Sequence, residues 1–411
     1  MLRRLLIVAG IASLLAARAV AQEADYGIGV PVTASFGAMD SQRLRLFNPA
    51  ASPLGANFRL MFYPTLRLGP HWFAYAAIQV RRMPYFYYDA FLTQQGMQAD
   101  VIQGYVGYSL HRGPATMVFK AGQLTSAFGS FPLRYDDAEN PVLDQPLSYI
   151  TRIPVRAEQL LCGTSDLLRQ HYGSVNASCG GTAGPGPGLT PATPYGLPGM
   201  QAEISASRFD ARVQTTSSSP AYLDGWHISR QYLQWAAGGG FTIRQGFRLG
   251  ASAFRGPYLD DSVSPWLPAG TTVRSFPATG TGVDVQWARG RLSATGEWQH
   301  FRFDAPNFVV SPQISSGYAE LKVRLTPRLF TAGRVGYLAT GSVLDTQGVF
   351  ASSFAPTLRA TELAAGCWLR PRVLLKVSYE FMQSAGQTGS RYNILGLQLV
   401  ASFKPVEWAW R

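Results

Sequence analysis

Alternation with a period of two residues is the feature that most restricts the fold of this chain. In the stretch 315–325, apolar and polar side chains take turns, with Ala319, Leu321, Val323 and Leu325 set against Tyr318, Glu320, Lys322 and Arg324. The stretch 373–381 repeats the pattern. Since successive side chains of a strand point to opposite faces, each stretch predicts a β-strand with one apolar and one polar face.

Short and long connections separate these stretches in a regular order. Seven of them are tight turns, at residues 68–71, 111–114, 208–210, 244–246, 289–291, 326–328 and 370–372. The others are long and rich in Pro, Gly, Ser and Asp, and this rhythm is typical of transmembrane β-barrels. Seven hairpins supply 14 strands, and pairing residues 29–36 with residues 391–403 would close the cylinder at 16 strands without an exposed sheet edge. Barrels of 14 or 18 strands remain alternatives.

The first 21 residues indicate export. Arg3 and Arg4 precede an apolar stretch, and residues 19–21 (Ala-Val-Ala) form a small-x-small cleavage site, which is typical of a secretory signal peptide. We therefore expect residues 1–21 to be removed and residues 22–411 to form a β-barrel in the cell outer membrane. After these residues, the sequence contains no run of about 18 apolar residues, which is the length that a membrane-spanning helix needs.

The composition agrees with a barrel and disfavours other classes. Only 15% of the residues are charged and 12% are aromatic, as expected of strands that give alternate residues to lipid and to water. The net charge of +12 would ordinarily indicate a nucleic-acid partner. Export and the absence of a basic run argue against that partner. The five histidines show no metal spacing or catalytic motif, so we expect no enzyme activity and no cofactor.

Aromatic residues and cysteines give two further expectations. Trp72, Phe247, Trp287, Phe330 and Trp368 lie beside tight turns, which predicts an aromatic girdle at the membrane interface. Cys162 and Cys179 share one long loop and could form a disulfide in an oxidising compartment, with free thiols as the alternative.

The third long loop, residues 126–198, is the longest connection and includes a short helix-like stretch at residues 158–169. The strand that leads into it ends Lys120 to Gly129, KAGQLTSAFG. This ending resembles the G-x-x-x-x-x-F-G strand end of 16-stranded bacterial porins, notably the phosphate-selective O/P type. The resemblance implies a homotrimer whose third loop folds into the lumen as its constriction. Porins generally end on an aromatic residue, for which Phe403 and Trp410 are both candidates.

The alternation also predicts which charged residues line the pore. Basic residues expected to face the lumen include Arg59, Arg81, Lys120, Lys322, Arg324, Arg334 and Lys376. The loop contributes Arg134, Asp136, Asp137 and Glu139. Because rings of basic side chains favour anions, we predict a porin for passive diffusion of small, preferentially anionic solutes. We expect Arg59, Arg81 and Lys120 to face the acidic stretch 136–144.

Two other functions are compatible with the sequence. Residues 48–50 (Asn-Pro-Ala) resemble a motif near the start of long-chain fatty-acid transporters, in which the N-terminal segment plugs the barrel. In that hypothesis, residues 22–56 would form a hatch for a hydrophobic substrate. In a third hypothesis, the barrel only anchors long loops that bind a partner.

Overall fold

The computed structural model describes residues 26–40, 54–83, 96–134, 136–171, 179–181, 188–192, 195–217, 233–385 and 391–410. The candidate signal peptide and the Asn-Pro-Ala motif at residues 48–50 lie outside these ranges.

Twenty strands are described. In chain order they are β1 (Tyr26–Asp40), β2 (Leu54–Phe62), β3 (Thr65–Leu68), β4 (Trp72–Met83), β5 (Gly96–Arg112), β6 (Ala115–Leu124), β7 (Leu197–Ala206), β8 (Phe209–Thr216), β9 (Gln234–Arg244), β10 (Phe247–Pro257), β11 (Pro277–Arg289), β12 (Leu292–Phe303), β13 (Phe308–Val310), β14 (Gln313–Arg324), β15 (Leu329–Thr340), β16 (Val343–Asp345), β17 (Phe350–Ala351), β18 (Thr357–Arg370), β19 (Val373–Ala385) and β20 (Arg391–Trp410). Strands β13, β16 and β17 form a separate small sheet, and the other 17 form one antiparallel sheet.

The large sheet is a closed barrel of 16 transmembrane strands. β2 and β3 both pair with β1 and β4, so they are two segments of one transmembrane strand. The interruption falls at Tyr63 and Pro64, where proline lacks the N–H that a ladder needs. β1 pairs with β20 from Tyr26↔Trp410 to Met39↔Gly396, which confirms the predicted closure.

All seven predicted tight turns join neighbouring strands at one end of the barrel, which we call the turn end. The strand ends that lead into the long connections lie at the other end, the loop end. Gly113 and Gly290 take positive φ values of 58° and 60° in two of these turns, a backbone conformation that glycine adopts without steric cost. The local sequence therefore specifies the hairpins.

The two faces of the wall have the polarity that the alternation predicts. Glu320 and Glu362 point inward and are 5% and 4% exposed, whereas Leu321 and Leu363 point outward and are 46% and 61% exposed. The apolar exterior suits lipid, and the interior holds the charged residues.

The predicted aromatic girdle is only partly correct. Trp72, Phe247 and Trp287 lie on the outward face, and Trp72 is 52% exposed. Phe330 and Trp368 lie on the inward face, where they pack with Val142 of the loop that follows β6. A position beside a turn places an aromatic ring near the turn end of the barrel. Whether the ring faces lipid or the lumen depends on its odd or even position in the strand, because successive side chains point to opposite faces.

Both ends of the described chain lie in the wall. β1 occupies residues 26–40 of the proposed hatch, so this part of the segment forms wall and not plug, which overturns the hatch for these residues. β20 runs past Phe403 to Trp410, with a bulge opposite Val30 and Val32. Trp410, and not Phe403, is level with the turn end, because Tyr26 pairs with both Trp410 and Leu68.

Helical structure is confined to the connections. The inserted loop, residues 125–196 between β6 and β7, contains the helices α1 (Leu147–Ile150) and α2 (Thr164–His171) and a 3-10 helix at Phe131–Leu133. Two further 3-10 helices, Asp261–Trp266 and Val273–Ser275, lie between β10 and β11. Among the described residues, no helix has the length and apolar character needed to cross a membrane.

Candidate functional site: the lumen and its inserted loop

The inserted loop enters the lumen directly after β6 and is held there by β8. The Gln214 side-chain amide donates to the Thr125 carbonyl oxygen at 2.9 Å, and its own carbonyl oxygen accepts from the Ala127 N–H at 2.8 Å. Arg212, on the same inward face, donates to the carbonyl oxygens of Ala127, at 3.0 Å, and Gly129. These bonds direct the chain inward.

The Phe-Gly pair of the sequence motif has a physical explanation at this entry. Phe128 is fully buried, and its ring centroid lies 4.9 Å from that of Phe254 and 5.7 Å from that of Phe301 on the wall. Gly129 has a φ of +77°, and a Cβ atom there would clash with the Tyr149 hydroxyl. The position therefore requires glycine, both for its backbone conformation and for its small size.

The loop then crosses the lumen from β14 to β2. Arg134 donates to the Glu320 carboxylate at 2.7 Å and to the Tyr318 hydroxyl at 3.0 Å, both on β14. Asp137 forms an ion pair with Arg59 of β2 at 3.2 Å. Because these two anchors lie on different parts of the wall, the loop between them must span the interior of the barrel.

Residues 137–144, which we call the latch segment, are bound to the wall by two buried bases. The Lys376 ammonium donates to the carbonyl oxygens of Asp137, Asn140 and Val142 at 2.7, 2.9 and 3.4 Å. Arg334 donates to the Asn140 side chain at 2.9 Å and also bonds the last backbone carbonyl of the segment. An ammonium group has three donors and no acceptor, so Lys376 is fully used by these three carbonyls.

Three buried carboxyl groups meet at the end of the latch segment. Glu362 accepts from the backbone N–H groups of Leu143 at 2.7 Å and Asp144 at 3.3 Å. The Asp144 carboxyl lies beside Glu380, and its Oδ2 has no hydrogen-bond donor among the described residues. Burial, followed by repulsion from Glu362, raises the pKa of Asp144 to about 7. A single proton held between Asp144 and Glu380 would relieve the repulsion between these carboxyl groups.

The rest of the loop forms an apolar core inside the barrel. Ile153, Val155, Leu160, Leu161 and Leu167 are buried against inward-facing wall residues, which include Phe301, Phe303, Ile314, Leu338 and Met382. The same cluster continues to the loop end through Tyr258, Val263 and Phe354. The loop therefore fills part of the lumen as a packed unit and is not a strap lying over water.

Cys162 and Cys179 are joined as a disulfide in this part of the loop, with 5.2 Å between their Cα atoms. The bond brackets α2. Cys367, in β18, is a free cysteine that is partly buried.

The predicted pore residues divide into three groups. Arg59, Arg134, Asp136, Asp137, Arg334 and Lys376 meet where the loop crosses the lumen. Arg81 and Lys120 each pair with a carboxylate on a neighbouring strand: Arg81 with Asp100 at 3.7 Å, and Lys120 with Glu203 at 2.7 Å.

The side chains of the other three predicted residues form none of the anchoring bonds described above. Lys322 faces inward with its ammonium 4.3 Å from the centre of the Phe330 ring. Arg324 is exposed at the turn end of the barrel. Glu139 is on the loop and exposed.

Neither the motifs nor the charge pattern of the sequence pointed to Tyr63, Asn140, Tyr149 and the inward phenylalanines, which are also part of the site. Tyr63 donates to Asp136, and Tyr149 donates to Glu297 at 3.1 Å. Glu297 also accepts the Ser130 N–H at 3.0 Å. Residue parity would have placed the phenylalanines inward, but no local signal shows that a loop would cover them.

The fold and lumen define a class, the closed 16-stranded antiparallel β-barrel with a long loop inserted into its lumen. No protein-family model matches the chain, and no curated protein matches it. Among solved structures, the outer-membrane channel DcaP of Acinetobacter baumannii is similar with a TM-score of 0.55 and 11% identity, over 93% of this chain and 99% of that one. OprB of Pseudomonas putida is similar with a TM-score of 0.52 and 13% identity, over 92% and 94% of the two chains. At these identities, the likeness shows the fold.

Proposed function

We propose that this chain is a porin that lets small polar solutes diffuse passively through the outer membrane, with a modest preference for anions. The observation that carries the proposal is the exposure of inward-facing carboxylates. The side chains of Asp100, Glu203 and Asp210 are 32%, 31% and 40% exposed although they point into the barrel. Water therefore reaches the interior beside the inserted loop, as expected of a 16-stranded barrel, whose side chains do not fill its lumen.

The anion preference is supported by bases toward the turn end. Arg67, Arg212, Lys322 and Arg324 lie on the inward face, and none has a carboxylate of the described residues within 4.0 Å. Around the loop, by contrast, acids offset bases. We therefore expect a modest selectivity that arises mainly at the turn end, which we assign to the periplasm.

Three further properties belong to this proposal. Residues 1–21 would act as a cleaved signal peptide, and residues 125–196 would form the constriction. The solute class suggested by the strand-end motif is oxyanionic, because that motif resembles phosphate-selective porins. A passive channel of this kind requires no catalytic residue and no cofactor, and we propose neither.

Reconstitution into planar lipid bilayers tests conduction. The mature protein should give stepwise currents, and in a KCl gradient the reversal potential should have the sign of anion selectivity. A barrel that inserts without conducting would contradict the porin function and favour an anchoring role. Conduction with a cation-selective reversal potential would contradict the anion preference alone.

The source of selectivity is tested by the triple variant Arg67→Gln/Lys322→Gln/Arg324→Gln. It should move the reversal potential toward zero while single-channel conductance persists, because it removes inward charge and leaves the loop contacts intact. The shift should fade as salt rises, since charges are screened beyond about 8 Å at physiological ionic strength. Arg289→Gln, on the outward face at the turn end, is the matched control and should leave the reversal potential unchanged.

A further inference from the structure

The outer wall at the loop end carries a row of polar side chains across four adjacent strands. Tyr337 of β15 pairs with Arg359 of β18, Arg359 with Gln383 of β19, and Gln383 with Arg391 of β20. Directly paired residues share a face, and this face is the outward one, because the adjacent inward residues Leu338 and Met382 are fully buried. We call these four residues the outer row.

The polarity of the wall falls in steps from the outer row toward the turn end. Two residues along, the paired set is Val335, Thr361, Phe381 and Asn393. Two residues farther, it is Gly333, Leu363, Tyr379 and Leu395. Each step is about 7 Å along a strand. The surface thus passes from basic to apolar within about 14 Å, which is how a wall crosses from lipid headgroups into acyl chains.

The two arginines of the outer row are exposed and make no side-chain hydrogen bond or ion pair with any described residue. They lie two strands apart, roughly 10 Å at the backbone, and flank Gln383. Guanidinium groups on such long side chains can converge on one anion between them. Arginine binds phosphate oxygens bidentately, and Gln383 and Tyr337 add donors beside it.

We propose that the outer row is a binding site for a phosphorylated lipid headgroup of the outer leaflet, specifically the phosphate groups of lipid A. Arg359 and Arg391 would hold a phosphate, Gln383 would donate to its oxygens, and the acyl chains would lie along Leu363 and Leu395. The charge and the polarity gradient support this occupant. The inference goes beyond conduction and rests only on the proposed outer-membrane setting.

Native mass spectrometry of the mature protein in detergent, titrated with diphosphorylated lipid A, tests the site. The variant Arg359→Gln/Arg391→Gln should bind lipid A at least about tenfold more weakly, since it removes both bases that would hold the phosphate. Arg289→Gln removes an outward arginine at the opposite end and should bind like the parent. Both variants should keep the parent's single-channel conductance and heat-modifiable gel mobility, which report the folded barrel.

The outcomes separate the alternatives. Lipid A binding within twofold of the parent in the double variant would overturn the site. An equal loss in Arg289→Gln would show a general charge effect and overturn it as well. Equal displacement of lipid A by phosphatidylglycerol would contradict the choice of lipid. A change of oligomeric state in the double variant would show that the outer row is a subunit contact, which contradicts the lipid site. Lipid A binding by a barrel that does not conduct would support this site and contradict the porin function.

Discussion

At the residue scale, Asp144 is the group whose protonation is most closely tied to the shape of the lumen. It ends the latch segment beside Glu362 and Glu380, and Arg334 is the base that faces this cluster. Burial and the neighbouring carboxylate raise the pKa of Asp144 to about 7. An aspartate in a loop released into water would titrate near pH 4.

The docked loop should therefore lose stability as the pH rises. Between about pH 4 and about pH 7, docked Asp144 holds a proton that a released Asp144 would not hold. Docking is then most stable below this window and least stable above it.

Single-channel recordings should show more frequent current fluctuations above the window than below it. Asp144→Asn should remove the difference, and Asp261→Asn, outside the lumen, should keep it. Equal fluctuation at all pH values in the parent would contradict this prediction.

At the element scale, the latch segment depends on bonds to the wall and not on secondary structure of its own. Lys376→Met keeps an unbranched stem and removes three donors, leaving carbonyls of residues 137, 140 and 142 without that partner. The cost should be about 2 kcal/mol, or roughly a thirtyfold larger opening constant. Hydrogen–deuterium exchange of residues 137–146 should rise accordingly. Lys322→Met, whose ammonium lies over the Phe330 ring and donates to none of these carbonyls, is the control and should have little effect there.

The disulfide is a separate element of the loop. A non-reduced tryptic digest should contain the peptides 157–169 and 170–208 linked through Cys162 and Cys179. Replacing both cysteines with serine should speed exchange in α2 and leave the thermal unfolding of the barrel unchanged, because the bond closes a loop within the loop. The chain-entropy account gives about 3 kcal/mol for a ring of this size. Two alkylated free thiols in the digest would refute the bond.

At the scale of the whole molecule, the barrel buries every strand edge by pairing β1 with β20, and further assembly would occur through its outer face. The resemblance of the strand end to 16-stranded bacterial porins implies a homotrimer, and we expect this chain to form one. Light scattering in detergent should give three copies of the mature chain, and reconstituted channels should close in three equal steps. A single closing step with a monomeric mass would contradict the trimer and leave conduction intact.

The sequence by itself determined the barrel. Strand positions and the seven hairpins follow from two-residue periodicity and turn chemistry, which are local properties. The pairing of the first and last strands follows from the requirement that no sheet edge stays exposed to lipid. The same periodicity placed Arg59, Glu320, Arg334 and Lys376 on the inward face. The periodicity could not predict that Phe330 and Trp368 would pack against a loop. Alternation shows on which side of the sheet a residue lies, and it does not show which segment covers that side.

Only the tertiary structure decided the partner of each charge. Lys376 bonds carbonyls more than 230 residues away, and their position depends on the path of the inserted loop through the lumen. Arg59 pairs with that loop, and Arg81 and Lys120 pair with carboxylates on adjacent strands. A strand's alternation fixes the direction of a side chain. The group that it meets depends on how distant segments pack, because hydrogen bonds and ion pairs form over a few ångströms only.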